Sequence, residues 1–202
     1  PGSGGKDSAF ATHILKYKYG MNPLTVTWAP HLYTDIGSKN FNNWVRVGGL
    51  DNILFTPNGR FHSYLTSLAF KNLCHPFQPF IIGQKIIGPL IAKKFGINLV
   101  MYGEHQAEHG NDTKETLIPN MQSEYFSNLD NNNLKYGGLS VNEIINQTSF
   151  KLNDFKPYIP LTPKELTSSN IQFNYLGYYL KWDQQENYYY AVNNTGFEAN
   201  PE

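Results

Sequence analysis

The sequence predicts an α/β fold, a parallel doubly wound sheet with helices on both faces. Three observations carry that expectation. Over residues 1–103 a glycine or capping residue, an amphipathic helical stretch and a short apolar stretch recur in turn, the alternation that builds βαβ units. The apolar stretches are nearly continuous rather than alternating, as in strands covered on both faces. A glycine-rich string, Ser3-Gly4-Gly5-Lys6-Asp7-Ser8, stands directly before the first helical stretch, where a helix N-terminus favours anions.

The elements follow in order. Phe10, Ala11, Ile14, Leu15 and Tyr17 fall at helical spacing until Gly20, a stop signal. LTVTWAP (24–30) is a largely apolar, β-branched strand that Pro30 ends. A second helix runs through Phe41, Trp44, Val45 and Val47 and closes at Gly48-Gly49, and DNILFTP (51–57) is the second strand. Phe61, Leu65, Leu68 and Leu73 mark a third helix. Ile86, Ile87, Leu90 and Ile91 mark a fourth, which Pro89 should interrupt and Gly96 should end. NLVMYGE (98–104) is the third strand. Ligands of such sheets collect beyond the carboxyl ends of the strands, so the loops at 1–8, 28–35, 56–60 and 103–110 should surround one crevice.

From about residue 111 the alternation stops. HGNDTKE and LDNNNLKYGG read as loops, SVNEIINQTSF (140–150) as a short helix, and PYIPLTPKEL (157–166) as an extended run into a helix start. YLGYYLKWDQQENYYYAV (175–192) reads as an aromatic helical segment. The expected division is an α/β domain over 1–110, which holds the glycine-rich string, and a mostly helical appendage over 111–202.

Composition narrows the function classes. With 40% apolar and 16% charged residues, the chain is globular in character. Its formal net charge of zero disfavours nucleic acid, because neutralising phosphates takes a basic surplus. No apolar run approaches the roughly 20 residues that span a bilayer, and no cleavable signal is visible. The single cysteine, Cys74, allows neither an intrachain disulfide nor a paired-cysteine metal knuckle, which suits a cytoplasmic location.

The opening string carries the chemistry. Ser3, Gly4 and Gly5 let backbone N–H groups approach phosphate oxygens, and the following helix adds donors and a favourable dipole. Lys6 adds a mobile positive charge. Asp7 and Ser8 are helix-capping types, and Asp7 is a candidate Mg²⁺ ligand. The string is not the GxxxxGK[ST] loop.

SGGKDS resembles the pyrophosphate-binding loop of the N-type ATP pyrophosphatases, the PP-loop superfamily. The resemblance implies a sheet of the adenine nucleotide alpha hydrolase-like (HUP) type and cleavage of ATP between its α and β phosphates, giving AMP and pyrophosphate. The superfamily's loop follows the first strand, so a strand is expected ahead of Pro1. YKYGMNPLTVTWAPHLYTDIGSKNFNNW, GGLDNILFTPNGRFH, PFQPFIIGQK, LVMYGEHQAEHG and YLGYYLKWD are together similar to the N-acetyl sugar amidotransferases of bacterial lipopolysaccharide and flagellin-glycan pathways, including the pseudaminic acid type. That similarity implies conversion of an acetamido group, on a nucleotide-linked or related sugar, into an acetamidino group. The amide oxygen, a poor leaving group, takes up AMP before ammonia displaces it. It also implies ammonia from a separate class I glutaminase, relayed by a cyclase-like barrel subunit.

By the same resemblance, Ser3 to Ser8 hold the departing pyrophosphate, and Thr27 and Trp28 meet adenosine. Gly83, Gln84 and Lys85 match a further family string, with Lys85 offering a second charge. Gly103 ends the third strand beside Glu104, the preferred carboxylate for Mg²⁺ or an amine proton. Lys6, Asp7 and Glu104 are thus the catalytic candidates. Plainer readings stand beside these: Trp28 as core, and Thr56-Pro57-Asn58-Gly59 as a turn feeding a helix. Glu104, His105, Glu108 and His109 do not make the HExxH order of a zinc helix. Cys74 fits a buried small hydrophobe, His13 a structural role, and Tyr188, Tyr189 and Tyr190 core packing. The alternatives are a tRNA-modifying PP-loop enzyme and a non-catalytic adenine-nucleotide-binding module.

Overall fold

The structure is a computed structural model that describes residues 1–103 and 134–200. It is a mixed α/β fold, mostly helical, with small sheets. The chain forms two compact units, and neither is continuous in sequence. The first comprises the described residues of Pro1–Leu54, Leu99–Met121 and Gln172–Glu202, and the second those of Phe55–Asn98 and Gln122–Ile171.

In the first unit, α1 (Lys6–His13) buries Ala9, Phe10 and Ala11 and continues as a π-helical turn, Ile14–Lys18. That turn points the Lys16 ammonium and the Tyr17 hydroxyl at the carbonyls of Gly49 and Gly48. β1 (Leu24–Trp28) and β2 (Asp51–Phe55) pair side by side, and α2 (Asp35–Arg46) links them. β3 (Leu99–Tyr102) pairs in parallel with a strand from far along the chain, Gln172–Tyr175, in the register Leu99↔Gln172 to Tyr102↔Tyr175.

The segment expected to be helical throughout 175–192 therefore begins differently. Tyr175 ends a strand, Leu176–Tyr178 form a 3₁₀ turn, and the helix starts only at Gln184, where Asp183 caps it. Phe173 and Tyr175 are buried on that strand, and pairing with β3 outweighs any local helical tendency. The last helix, Gln184–Thr195, packs along α1. Ala191 joins Ala9, Trp44 and Leu50 in a buried cluster, and the Phe10 ring meets Tyr190 edge to face at 5.3 Å.

The second unit is built on α3 (Gly59–Leu73) and α4 (Gln78–Phe95). Pro89 was expected to interrupt the fourth helix and does not. Proline removes only one helix donor, the partner of the Lys85 carbonyl, while Ile86, Ile87, Pro89 and Ala92 are all buried. Beyond it come the short hairpin β4–β5 (Lys135–Tyr136, Leu139–Ser140), α5 (Val141–Gln147), α6 (Leu152–Phe155) and α7 (Pro163–Ser169). Gln172–Tyr175 is then β6 and Gln184–Thr195 is α8. Phe61 anchors the core of this unit, with edge-to-face contacts to Phe155 at 4.7 Å and Tyr158 at 5.6 Å.

Among the described residues the strands thus join in pairs, β1–β2, β3–β6 and β4–β5, the last antiparallel. The parallel pairing expected of an α/β sheet is present in β3–β6. No described helix is long and apolar enough to cross a membrane.

Candidate functional site

The opening string is fixed at its approach by β1. The Gly2 N–H donates to the Val26 carbonyl at 3.0 Å, and the Thr27 hydroxyl donates to the Gly2 carbonyl at 2.7 Å. Asn52 reaches across from β2 and donates to the hydroxyls of both Thr25 and Thr27, at 2.9 and 3.2 Å. Thr25 and Thr27 are two residues apart, so they share a face of the strand. That polar ladder sets the height at which the loop leaves the sheet.

The bend itself requires glycine. Gly4 is buried with φ +81°, and a Cβ there would stand 2.7 Å from the Phe41 Cα and 3.2 Å from the Asn40 carbonyl. Both the left-handed backbone and the contact with α2 exclude a side chain. The Gly4 N–H donates to Ser8 Oγ at 3.1 Å, and the Ser8 hydroxyl donates to the Gly5 carbonyl at 3.0 Å. Ser8 therefore closes the bend upon itself.

Gly5 is the N-cap of α1 and offers no side chain to its first-turn N–H groups. Nothing stands within 4 Å of where its Cβ would be. The helix thus starts with donors that no side chain satisfies, at the positive end of its dipole. That end faces a cleft of about 250 Å³. Ser3, Gly4 and Gly5 form one side, Thr27 and Asn40 contribute polar groups, and Pro30, Leu32, Tyr33, Phe41 and Leu54 supply apolar wall. Leu32 is 85% exposed and Tyr33 53%, a high exposure for large apolar side chains. The cleft therefore offers amide donors at one end and an apolar surface at the other, a combination suited to a phosphorylated ligand with a flat apolar portion.

Lys6 and Asp7 form an ion pair, Nζ to Oδ1 at 2.7 Å, with both side chains 29% exposed. Asp7 lies in the first turn of α1, where the dipole favours a carboxylate. Among the described residues no three acidic, histidine or cysteine side chains converge on a metal position. Mg²⁺ commonly takes one or two carboxylates together with phosphate oxygens, and Asp7 fits that kind of site only alongside a bound phosphate.

The other candidates divide. Thr27 lines the cleft, whereas Trp28 is buried in β1 and is absent from the lining. Gly103 lies just past β3, where a Cβ would meet the Ala11 Cβ at 2.9 Å and the Asp7 carbonyl at 3.1 Å. It therefore packs directly against α1. Gly83, Gln84 and Lys85 lie within α4 of the second unit, and the cleft is lined by the first unit alone. Burial lowers the pKa of the Lys85 ammonium below its ordinary value. Glu104, with His105, Glu108 and His109, lies outside the described residues.

The plainer readings have structural counterparts. Asn58 accepts from the N–H groups of Arg60 and Phe61 at 3.1 and 3.3 Å, so it caps α3. His13 Nδ1 lies 2.8 Å from the Tyr190 hydroxyl between α1 and α8, and burial lowers its pKa. Tyr188 meets Phe197 edge to face. Cys74, expected to be buried, is exposed at the C-cap of α3 with φ +52°. The 28–35 loop, expected at the crevice, supplies Pro30, Leu32 and Tyr33, whereas sequence reasoning missed Asn40, Phe41 and Leu54, which come from α2 and β2.

No protein-family model matches this chain, and no curated protein matches it.

Proposed function

We propose that the cleft binds ATP, with its phosphates on the bend from Ser3 to Ser8, and that the protein is an ATP-dependent amidotransferase, a C–N ligase. The observation that carries this reading is the fold of SGGKDS itself. Its glycine bend is locked against α2, and it opens onto an uncapped helix start beside an apolar wall. In this reading the β1–β2 and β3–β6 pairs belong to a parallel sheet of the HUP type.

ATP would supply the activation of a sugar's amide oxygen, with pyrophosphate leaving. The N–H groups of Gly5, Lys6 and Asp7 would hold the pyrophosphate as charge gathers on it, which favours that step directly. The Lys6 ammonium would exchange its Asp7 partner for a phosphate oxygen, leaving the Asp7 carboxylate available to hold Mg²⁺, which would supply charge neutralisation for the phosphates. Tyr33, with Pro30 and Leu32, offers the surface for the adenosine. Closing out water at the amide carbon would be needed so that ammonia, rather than hydroxide, completes the replacement. Glu104 stays the candidate carboxylate for Mg²⁺ or for the proton of the attacking amine. An N-acetyl sugar as acceptor, a glutaminase and barrel partner as ammonia source, and a cytoplasmic setting complete the proposal.

The test is mass spectrometry of UDP- and CMP-linked acetamido sugars after incubation with the protein, Mg-ATP and ammonium. The expected product carries NH in place of the acetamido oxygen. Unchanged sugars throughout, with ATP intact, would count against the assignment.

A further inference from the structure

We infer that Asn40 is a positioning residue that couples the segment after α8 to the glycine bend, so that Gly196–Glu198 forms a latch on the cleft. This rests on the cleft being the nucleotide site proposed above. The side chain of Asn40 makes a two-way pairing with the backbone of Glu198. Its Nδ2 donates to the Glu198 carbonyl at 2.8 Å, and its Oδ1 accepts from the Glu198 N–H at 2.9 Å. One turn further along α2, Asn43 Nδ2 donates to the Gly196 carbonyl at 2.7 Å. Lys39 adds an exposed ion pair to the Glu198 carboxylate, and Phe197 packs on the Ala9–Trp44 cluster. Four consecutive contacts thus strap one short segment along one face of α2.

The same residue touches the bend from its other side. The Asn40 carbonyl and the Phe41 backbone are the surface on which Gly4 rests, close enough that a Cβ could not fit between them. Asn40 also lines the cleft and is only 8% exposed. A buried amide left without partners carries a desolvation penalty, so its pairing with Glu198 is what lets it stay inside. Release of the segment would leave the amide unsatisfied at the point where α2 supports the phosphate bend. Helix position and bend geometry are therefore linked to the latch through one residue. By reciprocity, a ligand that tightens the bend must tighten the latch by the same factor.

Two variants on the latch leave the cleft residues untouched. Glu198→Pro removes the N–H that Asn40 accepts, and the Lys39 ion pair goes with it. Glu198→Ala keeps the N–H and removes only the ion pair, which as a surface pair contributes little. In the ligand-free protein, amide hydrogen exchange at Gly4 should quicken about fivefold or more in Glu198→Pro and stay close to wild type in Glu198→Ala. Isothermal titration with Mg-ATP should show affinity weakened by a similar factor in Glu198→Pro alone, and Mg-ATP should slow exchange of the Glu198 amide in the wild type. Equal Gly4 exchange in all three proteins, with all three folded, would overturn the latch while leaving the nucleotide reading intact. Coupling of Glu198 to Gly4 without any Mg-ATP binding by the wild type would instead overturn the nucleotide reading, and with it the latch's bearing on a nucleotide.

Discussion

The helices that begin after Gly5 and after Thr162 meet the same need in opposite ways. Each leaves its first backbone N–H groups without intrahelical acceptors. At α7 the sequence supplies everything locally: Thr162 Oγ1 accepts from the Glu165 N–H at 3.3 Å, and Glu165 Oε2 accepts from the Thr162 N–H at 2.8 Å. Pro163 fills the first helical position, where no N–H is needed. At α1 the N-cap is a glycine, and Ser8 turns back to close the bend. The α7 start is capped by its own side chains, whereas no side chain caps the first turn of α1. A closed cap marks a structural helix start, whereas the open glycine start pressed onto a neighbouring helix is the feature on which the proposed phosphate site rests.

Gly4→Ala should break this contrast most severely. It forces a side chain into left-handed backbone and into contact with Phe41, at a combined cost of about 2–4 kcal/mol. Urea denaturation should register that loss, and titration should find no Mg-ATP binding. A neutral Gly4→Ala would mean that the bend does not need its glycine.

Thr162→Ala addresses the closed start. It removes one half of the capping box, which should lower stability by about 1 kcal/mol and leave Mg-ATP affinity unchanged. Gly5→Asp is the mirror experiment. Its N-cap backbone is extended and its surroundings are open, so an aspartate there can cap α1 and add a few tenths of a kcal/mol. The same carboxylate occupies the donors and repels phosphate. Melting temperature should therefore rise slightly while Mg-ATP affinity falls, a pairing of signs that a purely structural glycine would not give.

The smallest effect concerns pH. The Lys93 ammonium first, and then the N–H and hydroxyl of Thr162, pull the Glu165 pKa down from 4.5 to about 2. A carboxylate depressed in the folded state stabilises it above the ordinary carboxylate range. That contribution fades as pH falls through the interval between the ordinary and the lowered value. Glu165 is well exposed to solvent, so its share amounts to about half a kcal/mol or less. Glu165→Gln should make the acid-side loss of stability slightly shallower over that interval, read by urea denaturation at a series of pH values.

Much of the fold was legible because its signals are local. Gly20, Gly48-Gly49 and Gly96 end helical stretches as their conformational freedom predicts, and the three apolar runs became β1, β2 and β3. What stayed hidden depends on distant partners. β6 is four residues long, and only its pairing with β3 makes it a strand. Pro89 reads as a break, yet burial of its helix face holds α4 through it. Cys74 reads as core, but it occupies a left-handed C-cap at the surface. At the candidate site, Ser3 to Ser8 were visible from residue type and Thr27 only through the family resemblance, whereas Asn40 and Phe41 were not visible at all. Their place comes from α2 lying against a bend that precedes it by more than a helix length.

The most direct measurement is ³¹P NMR of ATP incubated with the protein, Mg²⁺, ammonium and acetamido sugars, beside Lys6→Ala and Asp7→Ala. The expected result is AMP and pyrophosphate from the wild type and neither from folded variants. Release of ADP and orthophosphate, untouched ATP, or wild-type turnover in both variants would contradict it.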